Sequence, residues 1–232
     1  MTAENLIYDI KEIVAATEDD SDLDEYWLIQ KINNYRAVLI AEQFRVDPVV
    51  DPSWLQRIGK FKFTKSDAAD DPLITVNSIT LGRYILPSVI SLPDDLGLNR
   101  ISGSSGIVGF EPTDFDTLVM KALVKEEISP NYGYYARIGR FAYVYPYIME
   151  GSAIIIAENP FDVPIYTGTE YRTMTMEDHY PIDARMAQLV IVQILTNDLN
   201  ISQQSITDIV NDSQSQLKVL KNGNQAAVQK KD

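Results

Sequence analysis

Apolar residues recur at helical spacing near both ends of the chain and at strand spacing through its middle. Leu6, Ile10, Ile13 and Val14 share one stripe, which predicts a first helix over residues 3–16. The segment TEDDSDLDE breaks it, and Asp22 with Glu25 three residues on forms a capping-box-like start for the next helix. That second helix spans about 23–44, with Leu28, Ile32, Tyr35, Leu39 and Phe44 at steps of three to five residues. Asp47-Pro48 and Asp51-Pro52 end it, because a proline disfavours α conformation in the residue before it. Helical periodicity returns only at Pro181, where Met186, Leu189, Val190, Ile194 and Leu195 mark a strongly apolar helix. From Ser202 the chain is polar with sparse apolar positions, a marginal helix running into a tail over its last dozen residues.

The middle reads as strands. Phe61 and Phe63 alternate with Lys60, Lys62 and Thr64, and Leu73–Leu81 (LITVNSITL) is β-branched and expected to be extended. Leu118–Val124 fits either a short helix or a strand. From Phe141 to Tyr147 every odd position is aromatic (Phe141, Tyr143, Tyr145, Tyr147), while Ala142, Val144 and Pro146 fill the even ones. A period of two puts the tyrosines on one face of a strand. The turn at 150–152 followed by AIIIA over 153–157 predicts a β-hairpin with that strand, and Val163–Thr167 one strand more. The expected fold class is α+β: a helical layer from the N- and C-terminal segments with a central, mostly antiparallel β insert, a sandwich or barrel-like lobe. Its expected parts are N-terminal helices over 1–54, the β lobe over 55–170, C-terminal helices over 171–216 and a polar tail over 217–232.

Charge sharpens this picture. The net charge is −13, with nine acids against Lys11 in residues 1–25 and four lysines against Asp232 in the last twenty residues. Such an acidic body disfavours tight binding of nucleic acid through phosphate neutralisation. With 45% hydrophobic residues there is material for a core, no run is long enough for a membrane helix, and no signal peptide is read at the start. The chain has no cysteine, which removes disulfides and thiolate metal sites.

Chemistry is scarce. His179 is the only histidine; Glu177 and Asp178 beside it supply no further ligand at helical spacing, so a loop residue near the Pro181 helix is the plainer reading. The segment Gly103–Gly109 lacks the lysine and following helix of a phosphate loop and reads as a flexible loop. Asp19-Asp20, Asp70-Asp71 and Asp94-Asp95 lie in turn-like contexts. Neither catalytic, cofactor-binding nor metal-binding residues are assigned, and no cofactor is expected. Arg137 and Arg140 lead into the tyrosine strand, and arginine with tyrosine is a common signature of protein interfaces. Tyr143, Tyr145, Tyr147, Arg137 and Arg140 are therefore the candidate subunit interface, with packing inside the lobe as the competing reading of the tyrosines. A carbohydrate-binding module stacking sugars on Trp54, Tyr134 and Tyr135, and a small hydrolase using Asp183 or His179, are the rival functional classes.

The order of segments carries a resemblance. DEYWLIQKINNYRAVLIAEQFR is followed by strands, then ITLGRYILPSVISLP, GRFAYVYPYIMEGSAIII, AENPFDVP, a YPI leading into an apolar helix, and a polar end with IVNDSQ. Over about residues 7–216 this resembles the head-to-tail adaptor (ring) proteins of crAss-like tailed bacteriophages. In that family the matches to Arg36, Gly139-Arg140-Phe141 and Tyr180-Pro181-Ile182 recur. The resemblance implies a virion structural protein without catalysis, a homo-oligomeric ring, commonly of twelve copies, docked below the portal protein in the neck. It would touch tail or other neck proteins and pass genomic DNA without binding it specifically, with no membrane involved. Asp67, Asp70 and Asp71 are then candidate channel-facing acids that repel DNA. A tail-tube or stopper component that does not touch the portal is the nearest alternative.

Overall fold

The computed structural model describes residues 1–17, 23–104, 106–125, 131–167 and 170–201. The predicted cap at Asp22, the polar helix after Ser202 and the tail lie outside them. Contacts divide the chain into two units, Met1–Arg36 with the residues from Ala184 onward, and Ala37–Asp183.

The first unit is helical. Helix α1 (Ala3–Thr17) buries Ala3, Leu6, Ile7, Ile10 and Val14. Helix α2 (Glu25–Val46) starts at Asp24, whose carboxylate accepts from the N–H groups of Tyr26 at 2.7 Å and Trp27 at 3.2 Å. Its buried stripe is Leu28, Ile32, Arg36, Ile40 and Phe44, a strict four-residue step. Sequence reading put Tyr35 and Leu39 there instead, because an arginine in the middle of the stripe disguises it. The first three of these residues belong to the helical unit and the last two to the other. Helix α4 (Ala184–Gln193) contacts α1 and buries Met186, Ala187, Val190 and Ile191. It runs into a π-helical turn, Ile194–Asp198, which holds Asp198 where Lys31 Nζ and Tyr35 Oη both donate to it, the latter at 2.8 Å.

The second unit is built on one eight-stranded sheet: β1 (Gln56–Lys62), β2 (Thr64–Ser66), β3 (Leu81–Ile85), β4 (Leu98–Gly103), β5 (Gly109–Pro112), β6 (Tyr132–Ile138), β7 (Phe141–Tyr145) and β8 (Glu150–Ile155). Their spatial order is β1-β8-β4-β5-β6-β7-β3-β2. Every pair is antiparallel except β5–β6, which is parallel and bridged by helix α3 (Phe115–Val124). The outermost strands β1 and β2 are successive pieces of one segment, separated only by Phe63. The sheet therefore curls into a half-barrel whose two margins meet at that residue, the barrel-like form of the expected insert. A short ribbon, β9 (Ile165–Tyr166) with β10 (Tyr171–Arg172), lies against β1.

Each face of the sheet has its own core. The concave side gathers Ile58, Phe63, Ile101, Phe110, Tyr135, Val144 and Ile155. Gly151 is required there, since a Cβ on it would come within 2.5 Å of the Phe63 ring. The convex side of β3, β6 and β7 packs Leu81, Ala136 and Tyr143 against Leu118 and Ala122 of α3 and against Ile74 and Ile79.

Two predicted elements differ. The β7 strand and the 150–157 segment do not form a hairpin. β7 lies between β6 and β3, whereas β8 lies between β1 and β4. The hairpin partner of β7 is β6, joined through the two-residue turn Gly139-Arg140, where Gly139 takes the positive φ of 57° that such a turn needs. Leu73–Thr80 is not a strand. Its buried isoleucines plug the convex core while its backbone is held in turns, Leu73 N–H by the Asp71 carboxylate and Ile74 N–H by the Asp71 carbonyl. The ambiguous 118–124 segment is helix α3, capped by Asp114, which accepts from Thr117 N–H at 2.7 Å. Gly103 and Gly109 lie at the facing ends of β4 and β5, where Gly103 N–H donates to the Val108 carbonyl at 2.8 Å.

Candidate functional site

The aromatic strand β7 shows why its alternation exists. Its small residues Ala142 and Val144 face the concave core, where Phe63 and Phe110 supply the bulk. Its aromatic residues face the convex side and the helix α3. Tyr143 is 1% exposed, edge-on to Phe115 with ring centroids 4.9 Å apart, and its hydroxyl donates to Asp71 Oδ2 at 2.7 Å. Ser66 Oγ and the Arg83 guanidinium donate to the same oxygen at 3.0 and 2.9 Å, and Leu73 N–H reaches Oδ1 at 3.0 Å. Burial alone would raise the Asp71 carboxyl; the donors from Tyr143, Leu73, Ser66 and Arg83 outweigh it and hold it below the ordinary value. Burial, reinforced by the neighbouring carboxylate, pushes the Tyr143 hydroxyl up to about 12.

This node decides two of the candidate residues. Tyr143 and Asp71 are interior groups that pin the 67–80 segment to the sheet, and neither offers a surface to a neighbour or to DNA. The other candidates are placed differently. Tyr145 is half-buried beside the α3 core, opposite Tyr134 in the β6–β7 register. Tyr147 is half-buried, with Lys65 Nζ 5.3 Å above its ring. Arg137 pairs with Asp95 and donates to the Gly139 carbonyl, and Arg140 is exposed with its Nε 3.4 Å from the Leu86 carbonyl. Asp67 organises the turn beneath it by accepting from Ala69 N–H at 2.9 Å, and Asp70 is exposed. The arginines and tyrosines thus do not converge on one patch of exposed side chains.

The rival chemistries find no support in placement. His179 is exposed, and its neighbour Asp178 is committed to a two-pronged pair with Arg172, which holds its carboxyl far below the usual range. Asp183 accepts from the Trp54 indole N–H at 3.3 Å, that tryptophan is fully buried and Tyr135 is buried, so neither ring is open for a sugar, and the half-buried Tyr134 ring has Lys121 Nζ over it at 3.9 Å. Among the described residues no three acidic or histidine side chains gather as a metal would require, and no helix is long and apolar enough to cross a membrane.

Two surface features were not singled out in the sequence. The outer face of α3 exposes Met120, Leu123 and Val124, at 56, 42 and 71%. Around β1 an open groove of about 450 Å³ is floored by Phe61, Tyr84, Tyr166 and Tyr171 and edged by Lys60 and Lys62. Phe61 and Tyr84 stack with centroids 3.8 Å apart at its base. The signal for the groove was present in KFKFTK, a run of cations without an acid in a chain of net charge −13. The α3 face was hidden because a mixed apolar helix of ten residues looks like core.

No curated protein matches the sequence. Residues 5–222 match the family CrAss_Ring_2, phage tail ring protein 2.

Proposed function

Because the chain belongs to the phage tail ring protein 2 family, a structural and not a catalytic one, we propose that its ring is a head-to-tail adaptor docked on the portal in the phage neck. Ring formation, assembly with other phage proteins and a place in the virion come with the family. Docking on the portal, contact with tail proteins and passage of the genome are the proposed part. The match over residues 5–222 carries the reading. The lobe supports it: its buried carboxylate Asp71 is spent on pinning a loop, and its surface keeps large apolar groups of the kind that interfaces bury.

Within this reading Tyr145, Tyr147, Arg137 and Arg140 remain candidates for the margin of a subunit contact, and Asp67 and Asp70 for the channel wall. The word tail in the family's description favours a second reading, in which the ring sits on tail components and never meets the portal. Mass measurement of the chain alone, with purified portal and with purified tail components separates them. A ring that appears on the portal supports the adaptor; a ring that appears only with tail components replaces it by the second reading.

A further inference from the structure

A closed ring of identical copies joins each neighbour by a heterologous contact, so every copy carries two different, complementary faces. The lobe carries such a pair. One face is the outer side of α3, where Met120, Leu123 and Val124 stand exposed beside a shallow hollow that Lys121 also lines, with the exposed acids Glu111, Asp114 and Asp116 toward its N-terminal end. The other is concave: the groove floored by Phe61, Tyr84, Tyr166 and Tyr171, with exposed Lys60 and Lys62 outnumbering the one acid, Glu150, in its lining. Apolar helix face matches apolar floor, and acids match lysines.

Their positions in the sheet also fit. Helix α3 packs on β6 and β7, while the groove is centred on β1. From β1 to β6 is four strands by way of β8, β4 and β5, and four by way of β2, β3 and β7 once β1 is followed into β2. The two faces thus stand four strands apart along the curled sheet, well separated as a head-to-tail repeat needs. A face and its complement set side by side would instead lead to pairing without propagation.

We infer that the α3 face of one copy seats in the β1 groove of the next, and that this contact closes the ring. Aromatic floors of this kind are where interface energy concentrates, with tyrosine bodies excluding water around the inserted side chains. The inference rests on ring formation and is independent of whether the ring docks on the portal.

The absence of cysteine provides a clean test. Met120→Cys combined with Tyr171→Cys, assembled into particles and oxidised, is expected to give a ladder of covalent multimers, while either substitution alone gives only monomer. Rings without a ladder overturn the contact, and dimers from a single-cysteine chain overturn it by showing that a face meets its own copy. Charge supplies the second arm. Lys60→Glu with Lys62→Glu is expected to lower ring yield at least tenfold, and Glu111→Lys with Asp116→Lys in the same chain to restore it. Normal ring yield from the glutamate variant, with only DNA retention altered, assigns the lysines to nucleic acid and overturns the proposal. Loss of portal binding with the ladder intact counts against the adaptor reading alone.

Discussion

At the scale of the residue, Asp71 is the group on which most of the convex core depends. Its side chain is 3% exposed and its partner Arg83 27% exposed. Removing one member of a buried pair costs roughly 3–5 kcal/mol, and partial exposure of the arginine places Asp71→Ala toward the lower end. Urea denaturation is the check. Tyr143→Phe removes one donor to a charged acceptor, and a loss of about 1.5–3 kcal/mol is expected. The two titrations have opposite signs. Asp71 is depressed, so its contribution is full above the ordinary carboxyl value of 3.8 and is lost as acid carries the pH below it. Tyr143 is raised from 10.0 to about 12, so its contribution is full below pH 10 and disappears as the pH climbs through 12. Melting temperatures of wild type and Tyr143→Phe should therefore converge between pH 10 and 12. An unchanging gap would show that the hydroxyl does not titrate as the node requires. None of this was legible in the chain, where Asp71 reads as half of a surface acid pair. Sixty-six, 71, 83 and 143 are brought together only by the sheet.

Among elements, legibility followed periodicity. Helices α1, α2 and α4 were visible because their apolar steps are local, and their ends fell within a few residues of expectation. The aromatic alternation was read correctly as a strand with two unlike faces only as far as Tyr145, since Tyr147 lies past the end of β7 and packs against the concave core; the partner of β7 was misread, because sequence adjacency favours a hairpin whereas β7 and β8 each find two other neighbours. What marks the true turn is Gly139-Arg140, only two residues long. Because Gly139 has φ of 57° and nothing crowds it, Gly139→Ala meets backbone strain alone and should cost about 1 kcal/mol. Gly139→Asn should cost less, as asparagine enters that region more readily. Equal melting temperatures for the two variants would argue against a strained turn. Phe63 is the opposite case, a side chain filling the junction of the sheet's margins. Phe63→Ala is expected to remove roughly 3–5 kcal/mol, and thermal unfolding measures it.

At the scale of the whole molecule, the acidic balance acquires a role only through the assembly. A ring of chains each carrying −13 presents a field that keeps double-stranded DNA from adhering, provided that exposed acids line its passage. Asp70 is the member of the predicted acid set that can be changed without disturbing a turn, because Asp67 holds one and Asp71 is interior. Particles bearing Asp70→Lys should release their genome more slowly than wild type, an effect that weakens as ionic strength rises. Unaltered ejection kinetics would remove that residue from the channel. The family was recognisable from the order of weak motifs, and the structure shows what those motifs are: Arg36, Tyr180 and Ile182 are buried, and Gly139-Arg140-Phe141 makes a turn. Arg36, Tyr180 and Ile182 serve the subunit's interior, while Arg140 stands exposed at the turn. Contact surfaces were harder to see because they are defined by shape, and shape depends on strands distant in the chain.

The meeting of β1 and β2 at Phe63 has a consequence for how copies are joined. Because both margins belong to one covalent segment, the sheet cannot flatten without drawing Phe63 out of the concave core, so a copy meets its neighbours with its curvature held.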